Sequence, residues 1–169
     1  MNKVATRCAA AAVLALAALV PDYHRLHTSP EGLALLADLE GCRLRPYRCS
    51  AGVWTSGIGH TAGVVPHRTI NEHEAAVNLV ADVIQVEQRL KRCIPVQMPQ
   101  PVYDALVSFT FNVGAGAACR STLAALLNAR QWRQACEQLP RWVYINGVKS
   151  PGLEKRRQRE RARCLQGAS

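Results

Sequence analysis

The sequence predicts a mainly helical α+β fold with a small β-hairpin lobe, a linking helix and a helical C-terminal lobe. Three stretches carry that expectation. Residues 42–61 set Leu44, Tyr47, Val53, Trp54, Thr55 and Ile58 among Pro46, Gly52, Gly57 and Gly59, the mixture of a short, bent hairpin. Thr69-Ile70-Asn71-Glu72 has the form of a capping box. It opens a pattern that runs to about Cys93, with Val77, Val80, Val83, Ile84, Val86 and Leu90 as its apolar positions. From residue 94 onward helical segments follow one another. The chain has 169 residues, 49% of them hydrophobic and 20% charged, enough for one domain with a proper core.

Taken in order, the chain begins with Lys3 and Arg7 flanking an apolar, alanine-rich run of 13 residues, Cys8 to Val20. That is the pattern of an export signal. A membrane-spanning helix needs about 20 apolar residues, so this one is short. Small-x-small sites such as Ala15-Leu16-Ala17 lie inside the run, and Val20-Pro21-Asp22-Tyr23 offers none after it. The reading favoured is an uncleaved, weak anchor over residues 1–20, with an ordinary cleaved signal as the alternative. Basic residues stay on the cytoplasmic side, which places the rest in the periplasm. Residues 21–28 are a polar connector, and the domain spans 29–169. Within it, 29–68 form the small lobe, 69–93 the linking helix and 94–169 the helical lobe.

Ser29-Pro30-Glu31 starts a helix: a capping serine, proline at the first helical position and an acid in the first turn. Leu33, Leu35, Leu36 and Leu39 continue it to Glu40-Gly41, where glycine ends it. Helices are expected at Val102–Val113, Ser121–Ala129, Gln131–Leu139 and Pro151–Leu165.

Lysine and arginine outnumber the acids 21 to 12, for a net charge of +9. From residue 21 the balance is 19 to 12, so the domain favours an anionic polymer. Aromatics are only 5%, thin for base stacking, and an exported chain does not meet nucleic acid. The five histidines show no metal-ligand spacing, so neither a metal nor another cofactor is expected. Seven cysteines is an odd number. Cys93, Cys119, Cys136 and Cys164 permit two disulfides by any of three connectivities.

Glu40 stands where its helix ends. A carboxyl at the negative end of a helix dipole is harder to ionise, which suits a general acid. What gives it weight is its surroundings. Glu40-Gly41-Cys42-Arg43-Leu44-Arg45-Pro46-Tyr47-Arg48-Cys49 leads into Gly52-Val53-Trp54-Thr55-Ser56-Gly57-Ile58-Gly59-His60. This resembles the active-site segment of the phage-type lysozymes: Glu, eight residues, Asp or Cys, five residues, Thr, then Gly-x-Gly-His. The resemblance continues in Asp104–Gly114, in Arg141-Trp142 and in Pro151-Gly152-Leu153 with Arg156-Arg157, and covers roughly residues 29–165.

That resemblance implies a monomeric glycoside hydrolase, an endolysin cutting the β-1,4 bond of peptidoglycan between N-acetylmuramic acid and N-acetylglucosamine during host lysis. Glu40 would protonate the leaving oxygen and Thr55 would position the attacking water. Position 49 would stand opposite the acid. Most members have Asp there, which can act as base and stabilise an oxocarbenium-like transition state. A thiol does neither at its ordinary pKa of about 8.5. Arg43, Arg45 and Arg48 are the groups expected to draw Cys49 toward thiolate. His60 is expected to brace the hairpin or Glu40. Asn112 and Arg141 would touch substrate, and Trp142 would be core. The non-catalytic alternative is a secreted basic module that binds peptidoglycan.

Cysteine at position 49, Cys42 two residues after Glu40 and Cys8 inside the apolar run together resemble the signal-anchor-release endolysins with cysteine-regulated activation. The expectation is that a Cys42–Cys49 disulfide, brought within reach by a hairpin between them, holds the enzyme inactive at the inner membrane. Release of the anchor, triggered by a holin or pinholin, then lets Cys8 attack that bond, leaving Cys8–Cys42 and a free Cys49.

Overall fold

The structure, a computed structural model, describes residues 8–169. Lys3 and Arg7, read above as topology signals, lie outside the described residues. The chain divides into two compact units. Among the described residues the first holds 8–26 together with Leu33–Ile84, and the second holds His27–Gly32 together with Gln85–Ser169.

In the first unit the apolar run is a short helix, α1 (Ala10–Ala17), with Val13 and Ala17 fully buried. Among the described residues no helix is long and apolar enough to cross a membrane. The expected connector 21–28 contains a turn of 3₁₀ helix at Pro21–Arg25. Helix α2 (Pro30–Glu40) begins with proline as expected, and the Gly32 N–H donates to Ser29 Oγ at 3.1 Å, the expected cap. Gly41 follows at φ +70°, a conformation glycine adopts without strain. Leu33, Leu36 and Ala37 are its buried face within the first unit.

Strands β1 (Arg43–Arg48) and β2 (Trp54–Gly57) form the antiparallel hairpin, pairing Tyr47 with Thr55 and Arg48 with Trp54. Helix α3 (Glu72–Cys93) follows. Its capping box is not Thr69–Glu72 but lies two residues further on. Asn71 Oδ1 accepts from the Glu74 N–H at 2.8 Å, and Glu74 Oε2 accepts from the Asn71 N–H at 3.1 Å. The reason is Ile70. Its side chain is buried and its N–H donates to the Leu44 carbonyl at 3.1 Å, so residue 70 is tied to the hairpin.

The second unit is built on α4 (Gln100–Val113) and α8 (Pro151–Leu165), with α5 (Ala115–Cys119), α6 (Thr122–Asn128) and α7 (Trp132–Cys136) between them. Phe109 stacks edge-on against Trp142 in its core, at 5.1 Å between centroids. The segment expected as one helix over Gln131–Leu139 is instead α7 followed by a 3₁₀ turn at Leu139–Arg141. A second hairpin, β3 (Tyr144–Ile145) and β4 (Val148–Lys149), turns on Asn146 and Gly147, both at positive φ.

Two buried carboxylates hold residues 27–29 within this unit. Glu87 accepts from the N–H groups of His27 and Thr28 and from the Thr28 hydroxyl. Asp104, fully buried, accepts from Ser29, Gln100 and Arg163. A further charged cluster lies under α8. Glu160 is fully buried and pairs with Arg156 at 3.0 Å and Arg157 at 2.6 Å, and it accepts from the Ser108 hydroxyl at 2.7 Å.

Candidate active site

Glu40, Cys49 and Thr55 all belong to the first unit, on the end of α2, the hairpin turn and β2. Glu40 is half-buried. Thr55 is buried, only 3% exposed, in a strand whose last three residues are all buried. Its hydroxyl lies 3.1 Å from the Val53 carbonyl and also within hydrogen-bond reach of the Cys49 sulfur.

Cys49 is unpaired and partly exposed. Its backbone closes the turn: the Cys49 N–H donates to Val53, and the Gly52 N–H donates to Cys49. This same turn aims N–H groups at the sulfur. Those of Val53 and Ala51, and then the Thr55 hydroxyl, hold the thiol below its ordinary pKa. The expected source, Arg43, Arg45 and Arg48, is not among the causes. All three are exposed, and two are occupied elsewhere, Arg43 over the Tyr47 ring and Arg48 over the Trp54 ring. Dipoles fixed in a turn do what flexible surface cations were expected to do.

Sequence reasoning missed Tyr47 as a site residue. Burial raises its phenol above the ordinary value, and the charges of Glu40 and Cys49 raise it further. Tyr47 is therefore close enough to both groups to feel them. The available signal was its register: it is two residues before Cys49 and pairs with Thr55.

His60 is held by both ends of its backbone to Ser56, and its Nδ1 lies 2.7 Å from Asp82 Oδ2. Burial raises the Asp82 carboxyl above the usual range, and His60 pulls it back in part. Asn112 and Arg141 are in the second unit. Asn112 Oδ1 accepts a hydrogen bond from Arg157, which ties it to the Glu160 cluster. Arg141 is exposed and donates to Gln138 at 3.2 Å.

The cysteines pair as Cys8–Cys42, Cys93–Cys119 and Cys136–Cys164, with Cα–Cα distances of 5.3, 5.6 and 5.6 Å. Cys42 and Cys49 are not brought together. With Cys42 bonded to Cys8, the state expected after exchange, residues 43–48 form one extended strand, not a turn. At about 3.3 Å per residue the strand holds them roughly 20 Å apart. A disulfide needs Cα atoms within about 7 Å.

A model of the phage lysozyme family matches residues 37–160. The chain belongs to the phage lysozyme family. The lysozyme is therefore a glycoside hydrolase. It is 33% identical over 176 residues to the SAR-endolysin of Escherichia phage P1, covering 92% of this chain and 91% of that protein. This supports the signal-anchor-release endolysin subclass. Two crystal structures of the phage P1 endolysin are similar to the lysozyme to different degrees. The active form matches with a TM-score of 0.86 at 30% identity, covering 97% of both chains. The secreted inactive form matches with a TM-score of 0.59 at 32% identity, covering 85% of this chain and 98% of that one.

Proposed function

We propose that this lysozyme is an endolysin that hydrolyses the β-1,4 bonds of peptidoglycan, with Glu40 as general acid, Thr55 positioning the attacking water and Cys49 acting as thiolate opposite the acid. A thiolate held by N–H groups can polarise that water and offers negative charge to an oxocarbenium-like transition state. Tyr47 completes the constellation between Glu40 and Cys49. Asn112 and Arg141 are proposed as substrate contacts, and His60 as the brace that fixes the hairpin.

The observation that carries the regulatory half is the cysteine arrangement. Cys8–Cys42 is formed and Cys49 is free in a fold similar to the active form of the phage P1 endolysin. In the resting state Cys42–Cys49 is bonded, and residues 1–20 are tethered to the inner membrane, facing the periplasm. That bond is incompatible with an extended β1, so it disables the enzyme by preventing the hairpin that holds Thr55. When a holin or pinholin frees the anchor, the Cys8 thiolate attacks the Cys42 sulfur. The Cys8–Cys42 bond forms, the Cys42–Cys49 bond breaks, and Cys49 leaves as thiolate, with no net oxidation. The N–H groups waiting for that thiolate favour the product.

The test is digestion of purified peptidoglycan by released protein, with mass analysis of the fragments. Fragments ending in reducing N-acetylmuramic acid, lost in Glu40→Gln, support the reading. Binding without digestion would favour the non-catalytic wall-binding module.

A further inference from the structure

Charge is divided unevenly between the two units. The second carries 14 basic and 6 acidic residues, while the first, counted from residue 8, carries 5 and 6. The excess is also uneven within the second unit. Between residues 88 and 136 the only acid is Asp104, and its carboxylate is fully buried among Ser29, Gln100 and Arg163.

Two connections gather the basic residues of that stretch at one pole. The Cys93–Cys119 disulfide joins the end of α3 to the end of α5. Asn128, the last residue of α6, donates to the Cys93 carbonyl at 2.9 Å. Arg89, Lys91 and Arg92 precede Cys93, Arg120 follows Cys119, and Arg130 follows α6 by two residues. All five are exposed. Among the described residues none of the five takes part in an ion pair. Trp132, partly exposed, stands between Arg130 and Arg133.

Cations near helix C-termini are common because they complement the helix dipole. That explanation is weak here. None of the five side chains donates to a terminal carbonyl, and the Cys93 carbonyl is taken by Asn128. Four of the five are arginine, whose planar fork matches phosphate oxygens. A tryptophan beside arginines is the pairing that settles at a lipid headgroup boundary.

We propose that this disulfide-braced pole, Arg89, Lys91, Arg92, Arg120 and Arg130 with Trp132, docks the enzyme on an anionic phospholipid surface. The proposal builds on the reading of an enzyme released beside a membrane, but it concerns a different face and is tested without hydrolysis. A surface that holds the second unit on the bilayer keeps the released enzyme near the membrane and concentrates it in a two-dimensional layer.

The test is co-sedimentation of the full chain with vesicles of phosphatidylethanolamine and phosphatidylglycerol. Neutral phosphatidylcholine vesicles read whatever the N-terminal apolar run contributes. Each basic residue near an anionic surface strengthens adsorption about fivefold, so Arg92→Gln, Arg120→Gln and Arg130→Gln together should weaken it about 100-fold. The salt dependence should flatten, and digestion of peptidoglycan should be unchanged. If that triple variant fails to fold, Lys91→Gln with Arg120→Gln should lose about 25-fold. A control removes three paired arginines, with Arg25→Gln, Arg68→Gln and Arg161→Gln, and should bind nearly as the parent does. Unchanged vesicle binding in the pole variants overturns the proposal. So does an equal loss in the control, which would make net charge the cause. Loss of binding to purified cell wall with vesicle binding intact would also overturn it, by making the pole a wall-binding surface.

Discussion

Cys42 and Cys49 stand at opposite ends of β1, with Arg43–Arg48 extended between them. One is bonded to Cys8 and the other is free. The strand and a Cys42–Cys49 bond exclude each other, so in the proposed latch the bonding partner of Cys42 decides whether the hairpin forms. Cys8→Ser should therefore remain inactive after release, and added reductant should restore digestion. Cys42→Ser should be active from the start. In the locked form the Tyr47 and Thr55 amides should exchange with solvent rapidly, and hydrogen exchange measures this residue by residue.

The Cys49 thiol is held below its ordinary pKa by N–H groups of its own turn. Thiolate therefore forms at a lower pH than in a free cysteine. Alkylation by iodoacetamide should rise with pH and level off earlier than for a model thiol. If thiolate is the working form, digestion should rise along the same limb. Cys49→Asp should keep activity and lose that limb, because a carboxylate is already ionised. Cys49→Ser should lose on the order of 100-fold, the scale of a removed acid–base group.

Asp82 is buried and its pKa is raised, with His60 opposing the shift. A carboxyl raised in the fold contributes stability below its unfolded pKa, and that contribution is lost as pH rises through the folded pKa. Thermal stability relative to Asp82→Asn should fall as pH climbs from the ordinary carboxylate range toward the raised value. His60→Ala removes the opposing interaction, so the Asp82 titration followed by carbon NMR should move higher still.

Glu160 neutralises two arginines in the interior, and Arg157 beside it is only 1% exposed. Glu160→Ala leaves buried cations without their partner and should cost about 3–5 kcal/mol in denaturant unfolding. Asn112 and Trp142, which also accept from Arg157, should lose their fixed positions with it.

Gly32 lies inside α2, where alanine ordinarily stabilises a helix. Here the sign should reverse. A Cβ at Gly32 would meet Asp104 Cγ at 2.5 Å, and that carboxylate is already committed to Ser29, Gln100 and Arg163. Gly32→Ala should destabilise by about 1–3 kcal/mol in the same measurement.

What the sequence showed and what it hid follow a physical line. Local signals read well: Ser29-Pro30 starts α2, Gly41 ends it, and Pro151–Leu165 is a helix over its whole predicted length. Thr69–Glu72 and Asn71–Glu74 both have capping-box form, and only the contact of Ile70 with Leu44 chooses between them. Asn146-Gly147 is a local hairpin signal, and the β3–β4 turn forms on it. Glu40, Cys49 and Thr55 were legible as candidates through the resemblance of their segment to the phage-type lysozymes. The donors around Cys49 were not, because they are backbone groups whose direction depends on a closed turn. The cysteine pairing was also hidden, since three connectivities fit the four helical cysteines equally well.

The most direct measurement is disulfide mapping by mass spectrometry on membrane-bound and released protein, with peptidoglycan digestion assayed on the same fractions. The account predicts Cys42–Cys49 in the bound, inactive fraction, and Cys8–Cys42 with free Cys49 in the released, active one. A Cys42–Cys49 bond in protein that digests peptidoglycan would contradict it.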